Sequence, residues 1–263
     1  MTQALAQLDI PGGVRVGLFG HESNWEALLK GEIHMYAEYI GTALHRYVNL
    51  APKPRAEVWQ TVHDASLERH DVEWLDPIGS DNTYGLMLAR ADAERLKVKC
   101  ISDLAPHAQA LTVIGRKRFI DDDPKMTFAP SGYEGFADAY GFRFGGQAIT
   151  DDEFSANFRA FERGEGQVVA DFVVHSCVAL LDLVELEDDR AFFSNYFIAP
   201  VVRADFLRDY PQAREILNRL AWTLSSREMA RINYQVDYEG RTTQDLASEF
   251  LQRVGLVSAH VRV

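Results

Sequence analysis

Short apolar runs that read as strands alternate with amphipathic stretches that read as helices over the first two thirds of this chain. Val14–Phe19 (VRVGLF), Ile33–Tyr39, Val72–Leu75, Thr83–Ala89, Leu111–Gly115, Val168–Val174 and Leu183–Leu186 are the strand candidates. Between them, Ser23 caps a helix through Lys30, with Glu26 in the capping-box position, and Gly31 closes it. Further helices are expected from Thr42, over about 54–69, and over Asp151–Glu162. Strands and helices in alternation specify an α/β architecture with largely buried strands. The last third changes period. From Asp205 onward, Ile216, Leu217, Leu220 and Leu224 make a helical stripe, and Ser225 or Ser226 and Thr242 or Thr243 supply later caps, so the C-terminal part is a helical cluster. With 263 residues, 47% of them hydrophobic and 25% charged, the chain has enough apolar surface for one large or two modest domains. The loop-like breaks are Lys117–Gly132 and Gly145–Gly146.

Charge narrows the partners. There are 39 acidic and 27 basic residues, a formal balance of −12. No basic excess is present to displace counterions from a phosphate backbone, so nucleic acid is a poor candidate partner, and an anionic membrane surface is disfavoured for the same reason. Cys100 and Cys177 are far apart, lie beside apolar residues and have no metal-ligand spacing, which reads as two buried free thiols. No apolar run approaches the ~20 residues of a membrane span. MTQALAQLDIPGG lacks the basic start and apolar stretch of a signal peptide.

Catalytic signatures are absent: no GxSxG, HExxH, P-loop or GxGxxG occurs. His63 and His70 are two helical turns apart, with no third ligand placed nearby. Asp121–Asp123 and Glu187–Asp189 read as solvated loops. No metal and no cofactor is expected. What stands out is a set of aromatic residues where strands hand over to loops: Tyr36 and Tyr39, Tyr84, Phe172 and Tyr196. Such positions are where α/β proteins place ligands, although core packing explains each ring taken alone.

Several blocks resemble the substrate-binding proteins of osmoprotectant (glycine betaine/choline/carnitine) ABC importers. GEIHMYAEYIGTAL (31–44) is similar to the family's GEID-YPEYTGTAL, and LDPIGSDNTYGLMLAR (75–90) to its LDP–NNTYALAVR. ISDLA (101–105) matches a family phrase, and GEGQVVADF (164–172) resembles GEVDVADGY. DLVELEDDRAFFSNYFIAPVVR (182–203) resembles DLVVLEDDK-FFPPYNAAPVVR, and residues 210–237 keep the family's YP–ILN–L–LT–EM–LNYQVD spacing. The resemblance implies a two-lobed type II periplasmic-binding-protein clamshell, with lobe one at 1–81 plus 197–263 and lobe two at 82–196. It implies a solute-binding protein, not an enzyme, that captures a quaternary ammonium such as choline, glycine betaine or a related betaine in an interlobe aromatic box and docks on an ABC permease. Tyr39, Tyr84 and Tyr196 match box tyrosines. Phe172 matches a fourth without its hydroxyl. Thr42 matches a hydroxyl that helps hold the ligand's carboxylate, and Asn82 lies beside Tyr84. Hinges are implied near Asn82–Tyr84 and Asn195–Tyr196, and an extracytoplasmic location if a precursor carries a signal.

The chain also departs from the family pattern. It begins within the region of the family's first helix, so a wall of the cleft is expected to be missing. Ala129 stands near the position where the family commonly carries an arginine, which would pair with a betaine carboxylate. VVHSC replaces STDGR at 173–177, placing His175 where an aspartate is common; it is either a structural substitute or a ligand contact. These departures weaken the carboxylate half of the site, so choline is expected to bind at least as well as glycine betaine. The rival reading is a sensor or interaction protein that keeps the clamshell and has lost transport.

Overall fold

The strands among the described residues are β1 (Met35–Tyr39), β2 (Val72–Trp74), β3 (Tyr84–Ala89), β4 (Thr112–Arg116), β5 (Gly146–Thr150), β6 (Val168–Phe172), β7 (Leu183–Glu185) and β8 (Ile198–Arg203). This computed structural model describes residues 1–10, 12–15, 21–48, 55–121, 132–151, 153, 155–193 and 196–257. The chain divides into two units. The first is Met1–Ser80, Tyr196–Ser225 and Glu239–Val263; the second is Asp81–Asn195 and Ser226–Tyr238.

The first unit holds a three-stranded sheet in the order β1-β8-β2, antiparallel throughout. Successive residues of a strand face opposite sides, and β8 uses both. Ala199 and Val201 join Trp25, Leu28, Val62 and Trp74 on one side. Val202 joins Leu75, Phe206, Leu217 and Leu251 on the other. Val201 and Val202 are both fully buried, a gain of about 1.5–3 kcal/mol for each such side chain. The buried indole of Trp74 donates to Ser66 Oγ at 3.1 Å, so its one polar atom is satisfied inside the core. The helix expected behind Ser23 runs over His21–Leu29, three residues earlier than a Ser23 cap implies, and the next over Ile40–Arg46, two residues ahead of Thr42. Gly31 has φ +73°, a conformation that glycine enters without Cβ strain. Most of Val14–Phe19 lies outside the described residues, and Val14 and Arg15 are not in a strand.

The second unit holds a mixed sheet in the order β5-β4-β6-β3-β7. The β4–β5 and β4–β6 pairs are parallel; β3–β6 and β3–β7 are antiparallel. Again one strand serves two cores: Val168 and Ala170 of β6 pack with Leu86, Phe119 and Phe136, and Val169 packs with Met87, Ile114 and Phe158. Gly145–Gly146, read as a break, is instead the entry to the edge strand β5. A Cβ on Gly145 would lie 2.0 Å from the Gln109 carbonyl oxygen, so the glycine marks a close backbone approach. The helix expected over Asp151–Glu162 is confined to Ala156–Glu162.

Helix Ser226–Asp237, placed with the first lobe by the resemblance, groups with the second unit. Its Ala230 packs among Phe158, Val173, Val174 and Cys177, and Asn233 Nδ2 donates to the Val174 carbonyl at 2.8 Å. Both cysteines are free thiols; Cys177 is buried and Cys100 partly so. His63 bonds to Asp64 and His70 packs edge-on to Trp25, so the two imidazoles have separate local partners. Among the described residues, no helix is long and apolar enough to cross a membrane.

Candidate functional site

In the first unit the antiparallel register sets Tyr39 opposite Ile198, bringing the end of β1 to the start of β8. Tyr39 and Tyr196 consequently meet, with ring centroids 6.3 Å apart and planes at 55°. Thr42 is buried in the helix Ile40–Arg46 that β1 runs into.

A buried carboxylate supports this pair. Glu38 is 2% exposed. It accepts from the Tyr39 backbone N–H at 2.7 Å, the Tyr47 hydroxyl at 2.9 Å and, more loosely, the Tyr36 hydroxyl at 3.4 Å. His21 Nδ1 lies 3.1 Å from both Glu38 oxygens. Burial, followed by the adjacent Glu38 charge, pushes the Tyr36 and Tyr47 hydroxyls above the usual phenol range, so both remain donors. Trp25 stacks on Tyr47 at 4.4 Å. The His21 ring meets Tyr39 edge-on at 6.5 Å.

In the second unit Tyr84 and Phe172 are directly opposite in the β3–β6 register, with rings 5.3 Å apart at 81°. Tyr84 is 1% exposed and also packs on Phe119 and Phe193, whereas Phe172 is only partly buried. Asn82 is partly buried in the segment that leads into β3. Asp171, next to Phe172, is fully buried. It accepts from Phe172 N–H at 2.7 Å, Asn157 Nδ2 at 2.9 Å and Arg116 at 3.3 Å. Burial raises its pKa against the opposing pull of the Arg116 charge and these N–H groups.

His175 is 4% exposed and sits at the N-cap of helix Ser176–Leu180. Its Nδ1 accepts the Cys177 backbone N–H at 3.0 Å. The proton of the neutral ring is therefore on Nε2, which lies 3.3 Å from Ser155 Oγ. A ring that presents N–H to the serine is not its general base, so the pair does not have nucleophile–base chemistry. Burial lowers the His175 pKa to about 4, with the Arg116 charge acting in the same direction.

The four expected rings thus occur as two contacting pairs, one in each unit. Ala129 and Asn195 lie outside the described residues. Glu38, His21, Asp171 and Arg116 were not singled out from sequence. Glu38 had one signal: it shares strand parity with Tyr36, a charge on a face that otherwise carries rings.

The two α/β units are of the kind that solute-binding proteins of ABC importers use. The family described as "Substrate binding domain of ABC-type glycine betaine transport system" matches residues 1–253, and the chain belongs to that family. It is 28% identical over 232 residues to the ergothioneine transport permease/ergothioneine binding protein EgtU of Helicobacter pylori, covering 88% of this chain and 40% of that protein. It is 26% identical over 225 residues to the glycine-betaine-binding protein of Pseudomonas aeruginosa, covering 84% of this chain and 72% of that one. A crystal structure of a glycine betaine/carnitine/choline ABC transporter superposes with TM-score 0.80 at 26% identity, covering 90% of this chain and 85% of the other, and shares the type II periplasmic-binding-protein fold.

Proposed function

We propose that this chain captures a small solute carrying a quaternary ammonium and delivers it to an ABC permease on the outer side of a membrane. The observation that carries the reading is the pairing of rings: Tyr39 with Tyr196, and Tyr84 with Phe172. A quaternary ammonium has no N–H to donate, so it is recognised by ring faces and apolar contact. Each ring face contributes ~0.5–2 kcal/mol, depending on desolvation. Two or more ring faces on one cation therefore supply a few kcal/mol without any fixed anion. Capture is an equilibrium between open and ligand-closed forms, and the permease reads the closed one.

Two of the similar proteins are named for ergothioneine and for glycine betaine. Both molecules join a trimethylammonium to a carboxylate, and this zwitterionic class is the favoured cargo. A thermal-shift screen with ergothioneine, glycine betaine, carnitine, choline and ordinary amino acids tests the reading, because a ligand that binds only the native state raises Tm. Quaternary amines are expected to raise Tm, and Tyr39→Ala to weaken their binding about fivefold or more, corresponding to ~1 kcal/mol. A shift with amino acids alone would refute the cation assignment.

A further inference from the structure

The chain passes between its two units at 80/81, 195/196, 225/226 and 238/239. The first three passages are tied together by hydrogen bonds close to the crossing points. On the first-unit side, Trp222 N–H donates to the Pro77 carbonyl at 3.0 Å and Leu224 N–H to the Ile78 carbonyl at 3.1 Å. Ile78 N–H donates to the Ile198 carbonyl at 2.9 Å, and Ile198 N–H to the Ser80 carbonyl at 3.1 Å. Gly79 permits this close approach. It has φ +115°, and a Cβ there would stand 2.9 Å from both the Leu224 oxygen and Trp222 Cα. On the second-unit side a side chain takes over. Ser226 Oγ accepts from Asp81 N–H at 3.1 Å and donates to the Asp81 carbonyl at 3.2 Å. One hydroxyl thus uses its donor and an acceptor site on the same buried residue. The helix that Ser226 opens is fixed to the second unit farther along, by Asn233 Nδ2 on the Val174 carbonyl and by the Tyr238 hydroxyl, 3.4 Å from Cys177 Sγ.

We propose that Ser226 is a positioning residue for solute capture: its hydroxyl locks the first and third passages into one hinge, so that both bend together and helix Ser226–Asp237 travels with the second unit. Between the two sets of bonds lie Gly79 and Ser80 on one passage and Ser225 on the other. Hinges absorb rotation in a few such backbone positions. The pivot therefore precedes the Asn82–Tyr84 stretch that the sequence points to, because Tyr84 is already held in register with Phe172. Without the hydroxyl the two passages flex separately. The ligand-free protein then spreads over more arrangements, a smaller fraction is competent to close, and binding weakens in proportion. The inference rests on the proposed function, since closure is the step that retains the solute.

Double electron–electron resonance between spin labels on Leu67→Cys in the first unit and Leu180→Cys in the second measures this spread without any ligand. Both positions are exposed, and the partly buried Cys100 is replaced by serine. Ser226→Ala should broaden the distance distribution, as should Ser226→Val, which has the shape of threonine without its hydroxyl. Ser226→Thr should keep the distribution of the unaltered protein. In calorimetry with glycine betaine, the Ala and Val variants should bind about threefold or more weakly, and the Thr variant as before. A merely structural role for Ser226 would lower Tm and leave the distribution unchanged. That result, or equal broadening in the Thr and Val variants, would overturn the hinge assignment while the function stands. Circular dichroism separates misfolding from a loosened hinge. If the unaltered protein binds neither glycine betaine, choline nor ergothioneine, the function falls, and the ligand-free distributions still decide the hinge.

Discussion

His175 makes this protein acid-sensitive in a way that can be calculated. Folding lowers its pKa from 6.5 to about 4, because the ring is buried and the Arg116 charge opposes its protonation. The unfolded chain therefore binds a proton that the native chain refuses. The stabilisation is complete above pH 6.5, falls as pH drops, and stops falling near pH 4, where both states are protonated. A difference of this size is worth ~3 kcal/mol in full, and ~2.5 kcal/mol of it is lost by pH 4.5. Asp171, raised by burial, acts in the opposite direction over part of the same range, so the total acid response does not isolate the histidine. The decisive comparison is with His175→Asn, which keeps a side-chain acceptor for the helix N-cap but cannot titrate. Loss of the ring's contacts with Phe158 and Ser155 lowers the variant's stability equally at every pH. Urea unfolding at pH 7.0 and 4.5 should show the unaltered protein losing ~2.5 kcal/mol more than the variant between the two conditions. Equal losses would mean that the ring takes up its proton in the folded state as readily as in the unfolded one, and the lowered His175 pKa would be refuted.

Three further outcomes follow from packing. Gly145→Ala should destabilise by at least ~2 kcal/mol in urea unfolding, because its Cβ meets backbone rather than a movable side chain. Tyr84→Ala should cost ~3–5 kcal/mol of stability, since the ring is 1% exposed among Phe119, Phe172 and Phe193; Tyr84→Phe keeps the ring and should leave quaternary-amine binding within a few-fold. Arg116→Met leaves Asp171 without its cation and should cost ~3 kcal/mol, with part of the loss recovered when Asp171→Asn is added; no recovery would show that the arginine acts by packing alone.

The elements legible in the sequence were those with a single dominant period. β3, β4 and β6 are short apolar runs, and the structure places them inside the larger sheet. Two strands escaped for opposite reasons. β5 is an edge strand, with Ile149 exposed, so its apolar residues do not report an interior. β8 is central but contains Pro200, which argues against a central strand because it donates no N–H. The sheet uses its carbonyl instead, accepting from Leu75 N–H at 2.9 Å. At the site, ring types at strand ends were visible in sequence, and their pairing depended on register. The polar support was hidden. Glu38 and Asp171 each precede a site ring, and each looks like an ordinary acidic residue until burial and partners are known. The family resemblance supplied the remainder, including positions that periodicity treats as core.

The order in which the ribosome releases the two units has its own consequence. Val173, Val174 and Cys177 are covered by a helix centred on Ala230, and the chain makes Tyr196–Ser225 of the other unit in between. A nascent chain therefore carries a finished β6 beside bare apolar side chains while it builds elsewhere, and it can seal them only after Ala230 emerges. Such a chain is exposed to proteases and to chaperones throughout that interval. Stalled chains ending at Ser225 should be cleaved near Val173 in pulse proteolysis, while chains extended past Tyr238 should resist. Equal resistance would mean that the second unit closes without its last helix.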